Sequence, residues 1–248
     1  MYFIVLAIGV FCLPVGSATM RYMRFLKLLV SIAAGALLVP IAFAHGIAGA
    51  DQEFVINNVG VQVGPYIYLG AKHMVTGYDH LLFLAGVIFF LYRLREVALY
   101  VTLFAVGHST TLLIGVLGGL YVNPYIVDAI IGLSVVYKAF ENLGGFKKFG
   151  FQPNMKLAVL VFGFFHGFGL STKLQDFAIS EDGLIANMLS FNVGVEIGQF
   201  LALALILIGL NIWRASESFM RYAFATNVAI MSAGFMLMGY QITGFIVS

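Results

Sequence analysis

The sequence predicts an all-α fold: a polytopic bundle of six transmembrane helices behind an N-terminal signal. Three observations carry this. The 248-residue chain is 61% hydrophobic and only 10% charged, whereas an average soluble domain is about 25% charged. Its apolar residues fall into runs of about 20, the length that crosses a hydrocarbon core of about 30 Å at about 1.5 Å per residue. Its basic residues collect in alternate connections. The formal charge of +2 leaves no electrostatic footprint for nucleic acid. The single cysteine, Cys12, excludes a disulfide framework and leaves the body of the chain without a thiolate. A metal held there would be bound by imidazole, carboxylate, amide or hydroxyl.

Residues 1–44 read as a presequence. From Met20, the residues Arg21, Arg24 and Lys27 form a basic n-region, Leu28 to Ile41 an apolar h-region, and Ala42-Phe43-Ala44 a small-x-small cleavage site. That pattern falls at the end of the apolar run, which favours cleavage over an uncleaved helix. Residues 1–19 are apolar too and fit either an upstream start-site artefact or an extra span. Cleavage leaves His45 as a new N-terminus with an amine and an imidazole on one residue, a pair able to chelate a metal as an extra ligand. The plainer reading makes His45 an ordinary residue of a periplasmic segment, 45–62.

One domain, 63–248, follows. Six segments are predicted to span: 67–92, 96–119, 124–144, 155–174, 184–213 and 219–246. Pro124 and Pro153 sit at or just before helix starts, where a missing N–H costs little, and Gly118-Gly119 and Gly144-Gly145 sit at helix ends. Arg93, Arg95, Lys147, Lys148, Lys156, Arg214 and Arg221 fall on one side of this arrangement and only Lys173 on the other. The positive-inside rule puts the seven in the cytoplasm. A signal that delivers the mature N-terminus outward gives the same answer, so both mature termini are predicted to be periplasmic, in a bacterial inner membrane.

The residues that raise a functional question are the polar ones inside these spans. "HMVTGYDH" opens the first with His73, Asp79 and His80; "GHSTT" places His108 in the second. The third carries Asp128, then Ser134, Lys138 and Glu141 at i, i+4, i+7, with Asn142 beside them. "FGFFHGFGLS" surrounds His166 with glycines in the fourth, and the fifth has Asn192, Glu196 and Gln199 at i, i+4, i+7. His73 and His80 are two helical turns apart and share a face. Asp79 lies about 100° from His80 on an ideal helix. It reaches the same site only if the helix is irregular near Gly77, or if it orients an imidazole from behind.

Each residue has a plain structural reading. A lone histidine hydrogen-bonds a neighbouring helix for about 0.6 kcal/mol, and glycines are packing notches. Lys138 and Glu141 neutralise each other, or Lys138 pairs with Glu196. Asn192 and Gln199 bind helices together. The set as a whole argues otherwise. Four imidazoles and several carboxylates on five helices are predicted to face the bundle interior, because facing lipid is costly. A His/Asp/Glu cluster without cysteine suits a first-row divalent ion: nickel, zinc, cobalt or copper.

The ordered set "HMVTGYDHLLFL", "GHSTTL", "LSVVYKAFENL", "FGFFHGFGLS" and "FNVGVEIGQ" resembles the HupE/UreJ family of hydrogenase and urease accessory membrane proteins, over roughly 63–213. The resemblance implies a nickel permease serving metalloenzyme maturation proteins, with a cleavable signal and often a histidine at the cleavage site, as in "AFAHG". By position it assigns the family's signature residues to His73, Asp79, His80, His108 and His166, with Glu196 and Gln199 in the fifth-helix motif. The His-x5-Asp-His spacing of 73–80 is one residue longer than the His-x4-Asp-His signature of nickel–cobalt permeases, and the chain has no histidine-rich loop.

Three function classes compete. The leading one is a secondary transporter that captures a metal ion at His73, Asp79 and His80 and passes it on through His108 and His166. In that reading Glu196, Asn192, Gln199 and Asp128 serve the path or its proton coupling. No G-x4-G-K-[ST] element supplies an ATP site. The second is a membrane-embedded zinc hydrolase using Ser109 or Ser171, although no HExxH element is present. The third is a b-type haem redox protein; covalent haem is excluded by the lack of CxxCH.

Overall fold

The computed structural model describes residues 59–176 and 181–248, and every regular element among them is an α-helix. The predicted signal sequence, its predicted cleavage site and His45 lie outside the described residues. The helices are α1 (Val63–Thr76), α2 (Tyr78–Ile88), α3 (Leu94–Leu117), α4 (Pro124–Asn142), α5 (Gly145–Lys148), α6 (Met155–Gln175), α7 (Leu184–Arg214) and α8 (Ser218–Val247). Four of them, α3, α6, α7 and α8, are long and apolar enough to cross a membrane. The segment 124–144 is helical as predicted, but α4 is 19 residues long and carries Asp128, Lys138 and Glu141. The predicted single helix over 67–92 is corrected. It is two helices, α1 and α2, interrupted at Gly77, whose backbone is extended at ψ 99°.

Helix ends follow the local chemistry. Asn123 caps α4 by accepting from the Tyr125 N–H, with Pro124 in the first turn. Asn154 caps α6 by accepting from Lys156 and Leu157. Side-chain caps of this kind satisfy N–H groups that the helix itself leaves open. At the end of α2, the Arg214 guanidinium donates to the carbonyls of Ile88 and Phe89 and lies 4.7 Å over the Tyr92 ring. The contact ties the end of α2 to the end of α7.

Three close pairings build the bundle: α1 along α7, α3 along α6, and α4 along α8. Glycines make each of them. A Cβ on Gly70 would stand 2.0 Å from the Phe191 carbonyl oxygen, and one on Gly194 2.0 Å from that of Ile67. In the second pair, Gly163 faces the Phe104 carbonyl at 2.6 Å and Gly167 that of His108 at 2.1 Å. Gly132 and Gly234 do the same between α4 and α8. Lipid tails are as apolar as leucine, so helix association in a bilayer rests on such backbone approach. Gly70→Leu is therefore expected to part α1 from α7 and leave no monodisperse protein in detergent. A Gly70→Leu protein with wild-type yield and melting temperature would show that this approach contributes nothing.

Candidate metal centre

The break at Gly77 sets the geometry of the site. With α1 ending at Thr76 and α2 starting at Tyr78, Asp79 enters the first turn of a new helix. Both alternatives open in the sequence are realised together: the helix is irregular, and Asp79 Oδ1 stands 3.0 Å from His80 Nδ1. Both side chains are buried. A carboxylate behind one ring nitrogen fixes the tautomer that carries its proton there, leaving Nε2 as the nitrogen able to ligate. A side chain at position 77 has no room, because a Cβ would lie 2.7 Å from His80 Nδ1 and 3.1 Å from Asp79 Oδ1.

Around His80 the other predicted imidazoles converge. Its ring centroid is 5.0 Å from that of His73, 5.7 Å from His108 and 4.9 Å from His166. Ligating atoms of His73, His80 and His108 lie within 4.8 Å of one another, as do those of Asp79, His80 and His166. Around a metal with bonds of about 2.0–2.1 Å, tetrahedral neighbours lie about 3.3 Å apart. The 4.8 Å bound on both groups is wider than that, so a bound ion would draw the side chains closer. The glycine notches of α6 press His108 and His166 together: Gly163 and Gly167 flank His166 and rest on the backbone of Phe104 and His108. Thr111 Oγ1 fastens the same contact by donating 2.7 Å to the Phe164 carbonyl.

The hydrogen-bonding state of the rings fits metal ligation. His166 Nδ1 lies 2.7 Å from the Phe162 carbonyl, so that nitrogen carries the proton and Nε2 is the one able to ligate. His80 Nε2 and both nitrogens of His108 are buried without a hydrogen-bond partner among the described residues. A buried polar atom left unmatched costs about 1–3 kcal/mol, and a cation recovers that cost at several of these atoms at once.

The remaining predicted residues are placed elsewhere. Asp128 is buried and paired with Lys173 of α6, at 3.0 and 2.8 Å to its two oxygens. Lys138 pairs with Glu141 on its own helix, as the plainer reading holds. Glu196 is corrected: it lies on the exposed side of α7, beside exposed Val193, Ile197 and Phe200, and neither faces the interior nor meets Lys138. Asn192 and Gln199 are buried on α7. The Asn192 amide donates to Met188 O on its own helix, and that of Gln199 to Val101 O on α3. The last helix, which in sequence carried no unexpected polar group, contributes Asn227, buried and accepting from Asn142.

Sequence reasoning missed the phenylalanines around the histidines. Phe83 lies 5.4 Å from His166, and Phe104 5.0 Å from His166 and 6.0 Å from His108. Phe83, at i+3 from His80, carries a usable signal. In a chain with 24 phenylalanines that signal is lost among apolar neighbours.

A family model described as HupE / UreJ protein matches residues 49–248. The chain belongs to the HupE/UreJ family. No curated protein and no solved structure matches it. Membership and the four long apolar helices together make this HupE/UreJ protein a helical membrane protein.

Proposed function

We propose that this HupE/UreJ protein is a secondary permease for a divalent transition-metal ion, nickel first among the candidates. In this reading His73, Asp79, His80, His108 and His166 form the intramembrane binding site. The observation that carries it is the convergence of four imidazoles from α1, α2, α3 and α6, with His80 Nε2 and both His108 nitrogens unmatched. Interhelical glue would use those nitrogens; a cation site leaves them open. The family supports nickel and a place beside hydrogenase or urease maturation, while imidazole with carboxylate is equally a zinc, cobalt or copper donor set.

The ion is cargo, so the site must bind it reversibly. Imidazole ligates only when neutral, and its reference pKa is about 6.5. Binding is therefore in competition with protons, and affinity falls as pH is lowered. Equilibrium dialysis of the purified protein against Ni²⁺ is expected to give one tight equivalent at pH 7.5, weakened more than tenfold at pH 5.5. Bound Zn²⁺ with lipid turnover would move the assignment to a hydrolase, and a Soret band to a haem protein.

Six spans with both mature termini periplasmic belong to the same reading, with α1 and α2 acting as one broken span. Discontinuous helices at a binding site are common in secondary transporters. A C-terminal alkaline phosphatase fusion is expected to be active and a green fluorescent fusion dark; the reverse would overturn this orientation.

A further inference from the structure

A second polar cluster lies beyond the histidines along α2. Gly86 follows His80 by six residues, a rise of about 9 Å. There the Asn142 amide of α4 donates 2.8 Å to the Gly86 carbonyl and 2.8 Å to Asn227 Oδ1 of α8. One turn before Asn142, the Lys138 ammonium is bonded to Glu141, and its Cγ would stand 3.3 Å from a Cβ on Gly86. Between this cluster and the histidines stands a run of rings: Tyr137 to Phe162 at 5.3 Å, Phe162 to Phe83 at 5.9 Å, Phe83 to His166 at 5.4 Å.

We propose that Glu141, Asn142 and Asn227 form a second, inner cation position for the transported ion, which Lys138 fills as a tethered cation. The proposal rests on the permease reading above. Its logic is chemical. Lys138 is among the buried residues, and burying a charge that far is expensive without a task. Its ammonium has three donors, and a single side-chain oxygen, that of Glu141, receives one of them among the described residues. A cation held by one carboxylate is displaceable. The amides add oxygen acceptors: both Asn142 donations leave Asn142 Oδ1 open, and Asn227 Oδ1 retains a second lone pair.

Oxygen donors bind a first-row divalent ion more weakly than imidazoles do. A weaker position following a tight one favours release, because conduction requires sites that an ion is able to leave. Lys138 then has two effects. It neutralises Glu141 while no ion is there, and it keeps the inner position closed until an arriving cation displaces the ammonium.

The test is Ni²⁺ binding stoichiometry of the purified full chain. Wild type is expected to bind one equivalent, and Lys138→Met a second, weaker one. His80→Ala/Lys138→Met is expected to keep only the weak equivalent, and Lys138→Met/Glu141→Gln only the tight one. Wild type and Lys138→Met each binding one tight equivalent would overturn the inner position and leave the histidine site standing. Loss of nothing on His80→Ala would instead overturn the histidine reading. Should Lys138→Met fail to fold, the doubly neutral Lys138→Met/Glu141→Gln protein decides the matter, because removing both charges of a pair costs far less than stranding one of them. It is expected to bind one Ni²⁺ and to transport at under a tenth of the wild-type rate. Wild-type transport by that protein would reduce Lys138 and Glu141 to a structural pair.

Discussion

His80→Ala is expected to abolish metal accumulation in cells and to lower Ni²⁺ affinity by more than a hundredfold, with the protein still inserted at near-normal levels. His80 is the one residue common to both groups of converging ligand atoms. Its ring sits within 5.7 Å, centroid to centroid, of all three other imidazoles. Removing a residue that only supports a ligand costs about 10–100-fold in affinity, so losing the shared ligand costs more. Asp79→Asn supplies the graded control. It keeps the shape beside His80 Nδ1 but removes the charge, and belongs in that 10–100-fold range. His108→Ala and His166→Ala are expected to behave like His80→Ala. If these rings were only interhelical glue, each variant would lose abundance or melting temperature, and the surviving protein would transport normally. That outcome would remove the metal site.

Much of this centre was legible in the sequence because ionisable residues inside apolar runs are rare. His73, His80, His108 and His166 stand out for that reason, and the expense of facing lipid sends them inward. The glycines flanking His166 were legible as packing notches, and the backbone contacts of Gly163 and Gly167 bear this out. Three things were less legible. A one-dimensional period places Asp79 about 100° from His80 only while the helix is continuous; the extended backbone at Gly77 resets that phase. Glu196 shows the converse error. The rule that charge faces inward is statistical, and the packed side of α7 is decided by Gly194 and Gly198 meeting α1, which turns Glu196 outward. Asn227 escaped notice because one amide among thirty residues of helix acquires meaning only through Asn142, 85 residues away in the chain.

Lys173→Met is expected to destabilise the protein by about 3–5 kcal/mol, the usual cost of stranding one partner of a buried ion pair. Asp128 is 4% exposed and Lys173 16%, and both carboxylate oxygens accept from the same ammonium. Alone, Asp128 would keep its desolvation penalty and lose its counter-charge. Gly169 of α6 packs beside it: a Cβ there would lie 3.3 Å from Asp128 Oδ1. Asp128→Asn/Lys173→Met removes both charges and is expected to restore most of the lost melting temperature, since neutral replacement of such a pair is close to free. That double variant also separates two roles. A carboxylate tied to a lysine is a poor proton carrier, so a structural pair predicts metal uptake with an unchanged pH profile in the double variant. A coupling carboxylate predicts a stable protein whose uptake no longer responds to pH. The bidentate contact with Lys173 favours the first outcome, and a flattened pH profile in a stable double variant would return Asp128 to the transport path.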